Sequence, residues 1–295
     1  MEKKYNDELK HRNMIKTVAR LVTVFGLAFL VFNFIVNPLF NFKIKRYFIE
    51  SPRLEKEFDG YKIVQISDLY LSKDTSLDKL TEEIIDLKPD LITFTGNIFF
   101  EEADDYFKNF IEMKKELDES LDGKFIAYIS KGETDQKLSE NYQRNLYRIL
   151  EENGIYLLDN RSSLINKGGK SIFVYGLTSP LDDYKLSNDQ TNFKPQIINR
   201  EARFALALSH NPSYGLDSDL LKMDLTLSGS RNGGWVRLPF VKGMDYGTES
   251  VFKEGLYRLD IDSGLIVSRG AGNKKGKVRI LNPREIVLIE LKREP

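Results

Sequence analysis

Hydrophobic and polar positions change rhythm twice along the chain. Residues 1–17 are polar and mixed in charge, residues 18–40 are almost continuously apolar, and beyond residue 58 short apolar runs alternate with stretches of helical period. At about 1.5 Å per residue the apolar run matches a hydrocarbon layer of roughly 30 Å, and Arg20 can snorkel at one end of it. The pattern predicts a polar tail over 1–17, a transmembrane anchor over 18–40 and a folded domain over 43–295. No small-residue cleavage site follows the apolar run, and the chain continues at 41–50 as an alternating strand, so the segment reads as an uncleaved anchor and not as a signal peptide or a core helix. Lys3, Lys4, Lys10, Arg12, Lys16 and Arg20 stand before it, against Lys43, Lys45, Arg46, Arg53 and Lys56 after it. That bias places the N-terminus inside and the large domain on the extracytoplasmic side of the cell membrane, as a single-pass protein.

Within the domain, period-2 and fully apolar runs predict strands at 62–67, 90–95 and 124–129, with helices at 75–87, 104–117 and 137–153 between and after them. Further strands follow at 162–166, 171–176, 203–209 and 224–227. The last part predicts strands at 255–261, 264–268, 277–280 and 285–292, which look antiparallel because Ser-Gly, Gly-Asn and Asn-Pro turns separate them. The acidic run 101–105 is placed to start a helix, where carboxylates favour the dipole. Alternating strands and helices of this kind are an α/β signature, with no second domain boundary inside 43–295.

Composition narrows the chemistry. Lys+Arg and Asp+Glu both number 44, so there is no global charge to drive nucleic-acid binding and none is expected. The absence of cysteine excludes disulfides, thiolate metal sites and a cysteine nucleophile without assigning a compartment. With only two histidines, His11 and His210, and one of them in the tail, a His-rich two-metal centre cannot be assembled.

Five loops at predicted strand ends are the informative motifs. They read Ile66-Ser-Asp68-Leu-Tyr70-Leu71, then Thr95-Gly96-Asn97, then Gly132-Glu-Thr-Asp135, then Ser209-His210-Asn-Pro212, then Gly229-Ser-Arg-Asn-Gly-Gly-Trp-Val-Arg-Leu-Pro239. In sequence and order these loops resemble the calcineurin-like metallophosphoesterases, whose loops read SDxH, TGD, GNH(D/E), sHxP and GHTHGGQ-x-x-x-P. The closing stretch, with Arg269-Gly-Ala-Gly272 and Asn282-Pro-Arg-Glu285, is similar to that of the family's membrane-anchored bacterial branch. The resemblance implies a four-layer αββα sandwich behind one N-terminal transmembrane helix, and a phosphodiester or pyrophosphate substrate class that includes lipid-like molecules.

In that family two divalent ions, bridged by a carboxylate and a water, activate the nucleophile and clamp the phosphate. Carried over by position, Asp68 and His210 match the pattern. Tyr70 stands where a histidine ligand is expected, Asn97 where the bridging aspartate is, and Glu133 where an asparagine ligand is. Thr134 takes the place of the catalytic histidine, Ser230 and Asn232 replace the last two histidines, and Arg231 lies between them. A neutral amide cannot supply the negative charge that holds two dications together.

The scaffold glycines and prolines are kept while the ligands are not, so the sequence points to a metallophosphoesterase-fold protein that binds or scaffolds at the cell envelope without two-metal hydrolysis. No cofactor is expected on this reading. The alternative is an active hydrolase with a remodelled site, in which Asp68, Asn97, Glu133 and His210 hold one Mn²⁺ or Zn²⁺. Lys131, Arg231 and Arg237 are candidate anion-binding groups in or beside the same loops, against a bland role as solvated cations, and Trp235 is either core or an apolar lip. Besides the membrane, the expected partner is an anionic or phosphorylated ligand, or a protein.

Overall fold

The computed structural model describes residues 2–36, 41–72, 76–178, 203–213, 223–229, 234–236, 252–274 and 276–294. It begins with a long helix, α1 (Glu2–Val31), closed by a π-helical turn at Phe32–Val36. The polar tail is thus helical and continuous with the apolar segment. The stretch long and apolar enough to cross a membrane is His11–Phe34, and its side chains are almost all exposed. Inside it, Thr23 and Asn33 return their polar groups to the carbonyls of Ala19 and Phe29, each at 2.9 Å, which lowers the cost of placing them in hydrocarbon.

Two six-stranded sheets build the domain. The first contains β1 (Phe42–Ser51), β2 (Lys62–Ile66), β3 (Leu91–Thr95), β4 (Ile126–Ser130), β5 (Ile155–Leu157) and β12 (Arg284–Arg293), in the order β1-β12-β2-β3-β4-β5. The second contains β6 (Arg161–Lys167), β7 (Lys170–Leu177), β8 (Ala205–Ser209), β9 (Leu225–Ser228), β10 (Gly255–Asp260) and β11 (Ser263–Val267), in the order β10-β11-β9-β8-β7-β6. Strands β2 to β5 run parallel, joined by α2 (Asp78–Leu87), α3 (Asp104–Ser120), the short α4 (Glu133–Gln136) and α5 (Glu140–Glu152).

Each helix turns one apolar stripe to the first sheet. Leu80, Ile84 and Leu87 of α2, Phe110, Met113 and Leu117 of α3, and Leu146 and Leu150 of α5 are buried on Ile66, Ile92, Phe94 and Ile129, the i, i+3, i+4, i+7 spacing of an amphipathic helix. Phe110 sits edge-on to Phe94 and Phe99, with ring centroids 4.9 and 5.6 Å apart, and truncating such a ring to alanine costs about 3–5 kcal/mol. The alternate residues Ile63, Leu91, Val287 and Ile289 face Val174, Leu206, Leu208, Leu225 and Ile266 of the second sheet. Phe173, Tyr175, Ala205 and Ala207, on the far face of that sheet, are buried too. The central strands of both sheets are therefore buried on both faces, as a sandwich requires, while the edge strands β6 and β10 keep exposed positions.

Three sequence expectations are corrected. The stretch 277–280 is not a strand; only Ile280 bridges, in parallel, to Val236. The C-terminal strands are not an antiparallel meander, because β10 pairs antiparallel with β11 while β11 lies parallel to β9, and β12 crosses to the other sheet. A short turn at Gly-containing sequence signals a reversal but not which strand is the neighbour afterwards. Strand β5 was not anticipated, since three residues are too short a run for periodicity to register.

Candidate functional site

Parallel strands leave their loops at one edge of a sheet, and the C-terminal ends of β2, β3, β4, β8 and β9 converge on a single buried cluster. Gln65, at the sheet interface, ties the two halves together with bonds from Nε2 to Thr95 Oγ1 (3.0 Å) and to the Ser228 carbonyl (2.8 Å). Just beyond, the chain adopts left-handed backbone at Asp68 (φ 51°), Tyr70 (φ 48°) and Asn97 (φ 54°). Such conformations in non-glycine residues cost of order 1–3 kcal/mol each and persist where surroundings impose them. Here backbone pairing imposes them: Asp68, Tyr70 and Leu71 donate to the carbonyls of Gly96, Asn97 and Ile98.

Asp68, Tyr70, Asn97 and His210 are all buried, and they bond to one another. The Tyr70 hydroxyl donates to Asp68 Oδ1 at 2.8 Å. Asn97 Nδ2 lies 3.3 Å from Asp68 Oδ1, 3.3 Å from the Tyr70 oxygen and 2.7 Å from His210 Nε2. Asn97 Oδ1 accepts from the Thr134 amide (2.9 Å) and hydroxyl (3.0 Å). The Thr134 N–H has a fixed direction, so it sets which end of the carboxamide faces the cluster. The amide nitrogen therefore meets His210 Nε2, which must accept, while Nδ1 lies 2.8 Å from the Thr95 carbonyl and donates to it. On the other side, Ser67 Oγ is 2.9 Å from both Asp68 Oδ2 and the Thr95 carbonyl.

Burial pulls the His210 pKa down, but the charges of Asp68 and Glu133, the Thr95 bond and Asp135 outweigh it and hold it above the ordinary histidine value. Acidification thus turns the Asn97 contact from attractive to repulsive, because two N–H groups would then face each other.

Asp135 was not among the residues expected to matter, and it is the keystone of the loops. Fully buried, it accepts the backbone N–H groups of Asn97 (2.7 Å), Ile98 (3.0 Å), Phe99 (2.8 Å) and Gly132 (2.8 Å). Burial raises its pKa to about 6 against the lowering effect of those bonds, so it is a carboxylate at neutral pH. The signal available in the sequence was the acidic residue at the end of the Gly132-Glu-Thr-Asp135 loop. Arg279 was missed as well. Its buried guanidinium bonds the carbonyls of Arg269, Gly270 and Gly272 and stacks 5.5 Å from the Trp235 ring centroid. Burial lowers its pKa to about 10, which leaves it charged. The loop it organises backs the cluster, with the Ala271 and Gly272 amides donating to the Ser67 and Asp68 carbonyls.

Among the candidate anion groups, Lys131 is committed elsewhere: Nζ pairs with Asp159 at 2.7 Å beside the Tyr147 ring. Arg231 and Arg237, with Ser230 and Asn232, lie outside the described residues. Trp235 is half-buried on Arg279, neither core nor free lip. The donor set does not fit two dications. The lone pairs a metal would take from Asp68 Oδ1 and His210 Nε2 accept from Tyr70 and Asn97, and Asn97 turns its oxygen to Thr134. Glu133 lies half-buried at the start of α4, and among the described residues no three His, Asp or Glu side chains group as metal ligands.

A relative from Bacillus subtilis, the metallophosphoesterase YkuE, is 31% identical over 255 residues, covering 83% of each chain. The chain belongs to the calcineurin-like metallophosphoesterases. A second metallophosphoesterase, Cj0846 of Campylobacter jejuni, is 28% identical across 95% of this chain and 71% of its own length. The UDP-2,3-diacylglucosamine pyrophosphatase LpxG of Chlamydia muridarum is 24% identical across 82% of this chain and 88% of its own. No family model matches the chain. Phosphopantetheinyl hydrolase of Mycobacterium tuberculosis aligns to 59% of this metallophosphoesterase at 12% identity with a TM-score of 0.33, too low to add to the sheet order described above.

Proposed function

We propose that this metallophosphoesterase is a membrane-anchored binding protein whose ancestral reaction centre holds protein hydrogen bonds instead of metal ions. One observation supports the reading above others: the Asn97 carboxamide, at the position of the bridging carboxylate, donates into the cluster at His210 and Asp68 and is locked in that sense by Thr134. A group that donates cannot bridge cations, and the Tyr70 hydroxyl closes the remaining side of Asp68. The anchor is the His11–Phe34 helix. The ligand class follows from the relatives, among which a protein named as a diacylglucosamine pyrophosphatase acts on a pyrophosphate bearing acyl chains. A phosphorylated, lipid-linked molecule is accordingly the class this protein would recognise.

The full-length protein, purified in detergent without a polyhistidine tag and equilibrated with Mn²⁺ and Zn²⁺, is expected to retain no stoichiometric metal by elemental mass spectrometry and to leave bis-p-nitrophenyl phosphate intact. One bound metal together with hydrolysis, both removed by Glu133→Ala and by His210→Ala, would replace this reading with that of a mononuclear hydrolase. Two bound metals would refute it outright.

A further inference from the structure

The end of the apolar helix is bonded to the domain at one defined place. The Phe34 carbonyl, last residue of the membrane-length span, accepts the Leu281 amide at 3.0 Å. A few residues later Phe42 receives the Arg284 guanidinium 4.0 Å from its ring centroid. The level at which the chain leaves hydrocarbon is therefore the level of the segment 273–281, on the reading that His11–Phe34 crosses the bilayer.

That segment has the composition of a membrane rim. It reads Asn273-Lys-Lys-Gly-Lys-Val-Arg-Ile-Leu281, with no acidic residue. Lys277 is exposed and Val278 is 52% exposed. Lys274 lies with Nζ 5.5 Å from the ring centroid of Tyr70. Buried Arg279 and half-buried Ile280 hold the half-buried Trp235, through the stack described above and an Ile280 amide bond to the Trp235 carbonyl at 2.9 Å. One short loop thus touches the end of the apolar helix at Phe34, Tyr70 of the buried cluster, and Trp235.

We propose that residues 273–281 seat on the anionic lipid surface, with Lys274 and Lys277 paired to lipid phosphates and Val278 and Trp235 at headgroup depth. Three physical points carry it. Lysines beside a membrane-spanning helix are attracted to anionic headgroups within a Debye length. Tryptophan has an amphipathic ring suited to that depth. And the hydrogen bond from Leu281 to Phe34 leaves the loop no freedom to stand far from the interface. The consequence for the site is directional: the cluster fronted by Tyr70 faces ligands that reach it along the bilayer surface, so its phosphate-bearing ligand is lipid-borne and not a free solute.

Trp235 is the sole tryptophan of the chain, so the emission reports on this one residue, which Arg279 and Ile280 of the loop hold. The full chain is reconstituted into phosphatidylcholine vesicles, with and without roughly one-third phosphatidylglycerol, and the emission is read with headgroup nitroxide lipids as quenchers. The expected result is quenching that deepens with phosphatidylglycerol and falls by roughly half or more in Lys277→Glu and in Val278→Asp. Both positions are exposed, so both variants keep the parent unfolding temperature. Protein that floats with the vesicles but shows unquenched Trp235, or quenching indifferent to both variants, overturns the proposal. Protein that fails to float overturns the anchor reading as well, and the flotation assay reads that failure separately.

Discussion

Asn97 concentrates the chemistry of the site in one carboxamide. Its oxygen binds Thr134, its nitrogen binds His210 and leans on Asp68. Replacing it with aspartate, Asn97→Asp, sets a second carboxylate beside Asp68 in a buried place and is expected to destabilise the fold by roughly 1–3 kcal/mol. It also restores the charge a dication needs. Urea unfolding with and without Mn²⁺ checks both parts: the variant should be less stable than the parent in chelator and regain stability in Mn²⁺, while the parent ignores the metal. A variant as indifferent to Mn²⁺ as the parent would show that Asn97 alone is not what excludes the ion. Asp68, Asn97 and His210 were legible in the sequence because they sit at fixed offsets from strand ends in motifs of known order. Asp135 and Arg279 were not, because what makes them central is the backbone they satisfy. A carboxylate that gathers N–H groups from residues 97–99 and 132, or a guanidinium that gathers carbonyls from residues 269–272, leaves no pattern in the one-dimensional chain.

At the level of elements, the parallel half of the fold was readable in advance. Strands β2, β3 and β4 are buried over nearly their whole length and read as short, mainly apolar runs, and helices α2, α3 and α5 show their stripes plainly. The second half was harder, since β9 and β11 are neighbours separated by more than thirty residues of chain. The loops between these elements have little room. A Cβ added to Gly272 would lie 1.8 Å from the Leu69 carbonyl oxygen. Backbone cannot yield as a flexible side chain does, so Gly272→Ala should cost several kcal/mol, on the order of the larger core substitutions, and should shift the Tyr70 ring. Thermal unfolding and near-ultraviolet circular dichroism read the two effects.

The β4 and β5 ends are joined by the Lys131–Asp159 pair. Asp159 is partly buried, which raises its pKa, but bonds from Lys131 and Thr178 more than offset that and bring it below the usual carboxylate range. The sign follows: the pair stabilises the fold above the unfolded value of about 3.9 and loses that contribution as pH falls through the lower folded value. Asp159→Asn should flatten the acid limb of a plot of unfolding temperature against pH. Parallel curves for parent and variant would show that the pair contributes nothing.

Taken whole, the described molecule is a two-sheet domain joined to a long apolar helix whose membrane-length span is exposed nearly throughout. The His11–Phe34 span is long and apolar enough to cross a bilayer, and its large hydrophobic side chains are exposed. The full chain should therefore stay with the membrane pellet in alkaline carbonate and in high salt and leave it only in detergent, whereas a peripheral protein would be released by the first two. That prediction is independent of the reaction centre, and failure of one would leave the other standing.

Strand β12 lies between β1 and β2, pairing with Phe42–Ser51 on one side and with Lys62–Gln65 on the other. The earliest strands made are thus held apart until the latest described strand arrives to join them. During synthesis the helix can enter the bilayer, and β2, β3 and β4 can pair behind it, while β1 waits at the membrane without a neighbour. Completion of the first sheet consequently waits for all the other described strands to be made, and the slot for β12 is open to any other extended segment until then.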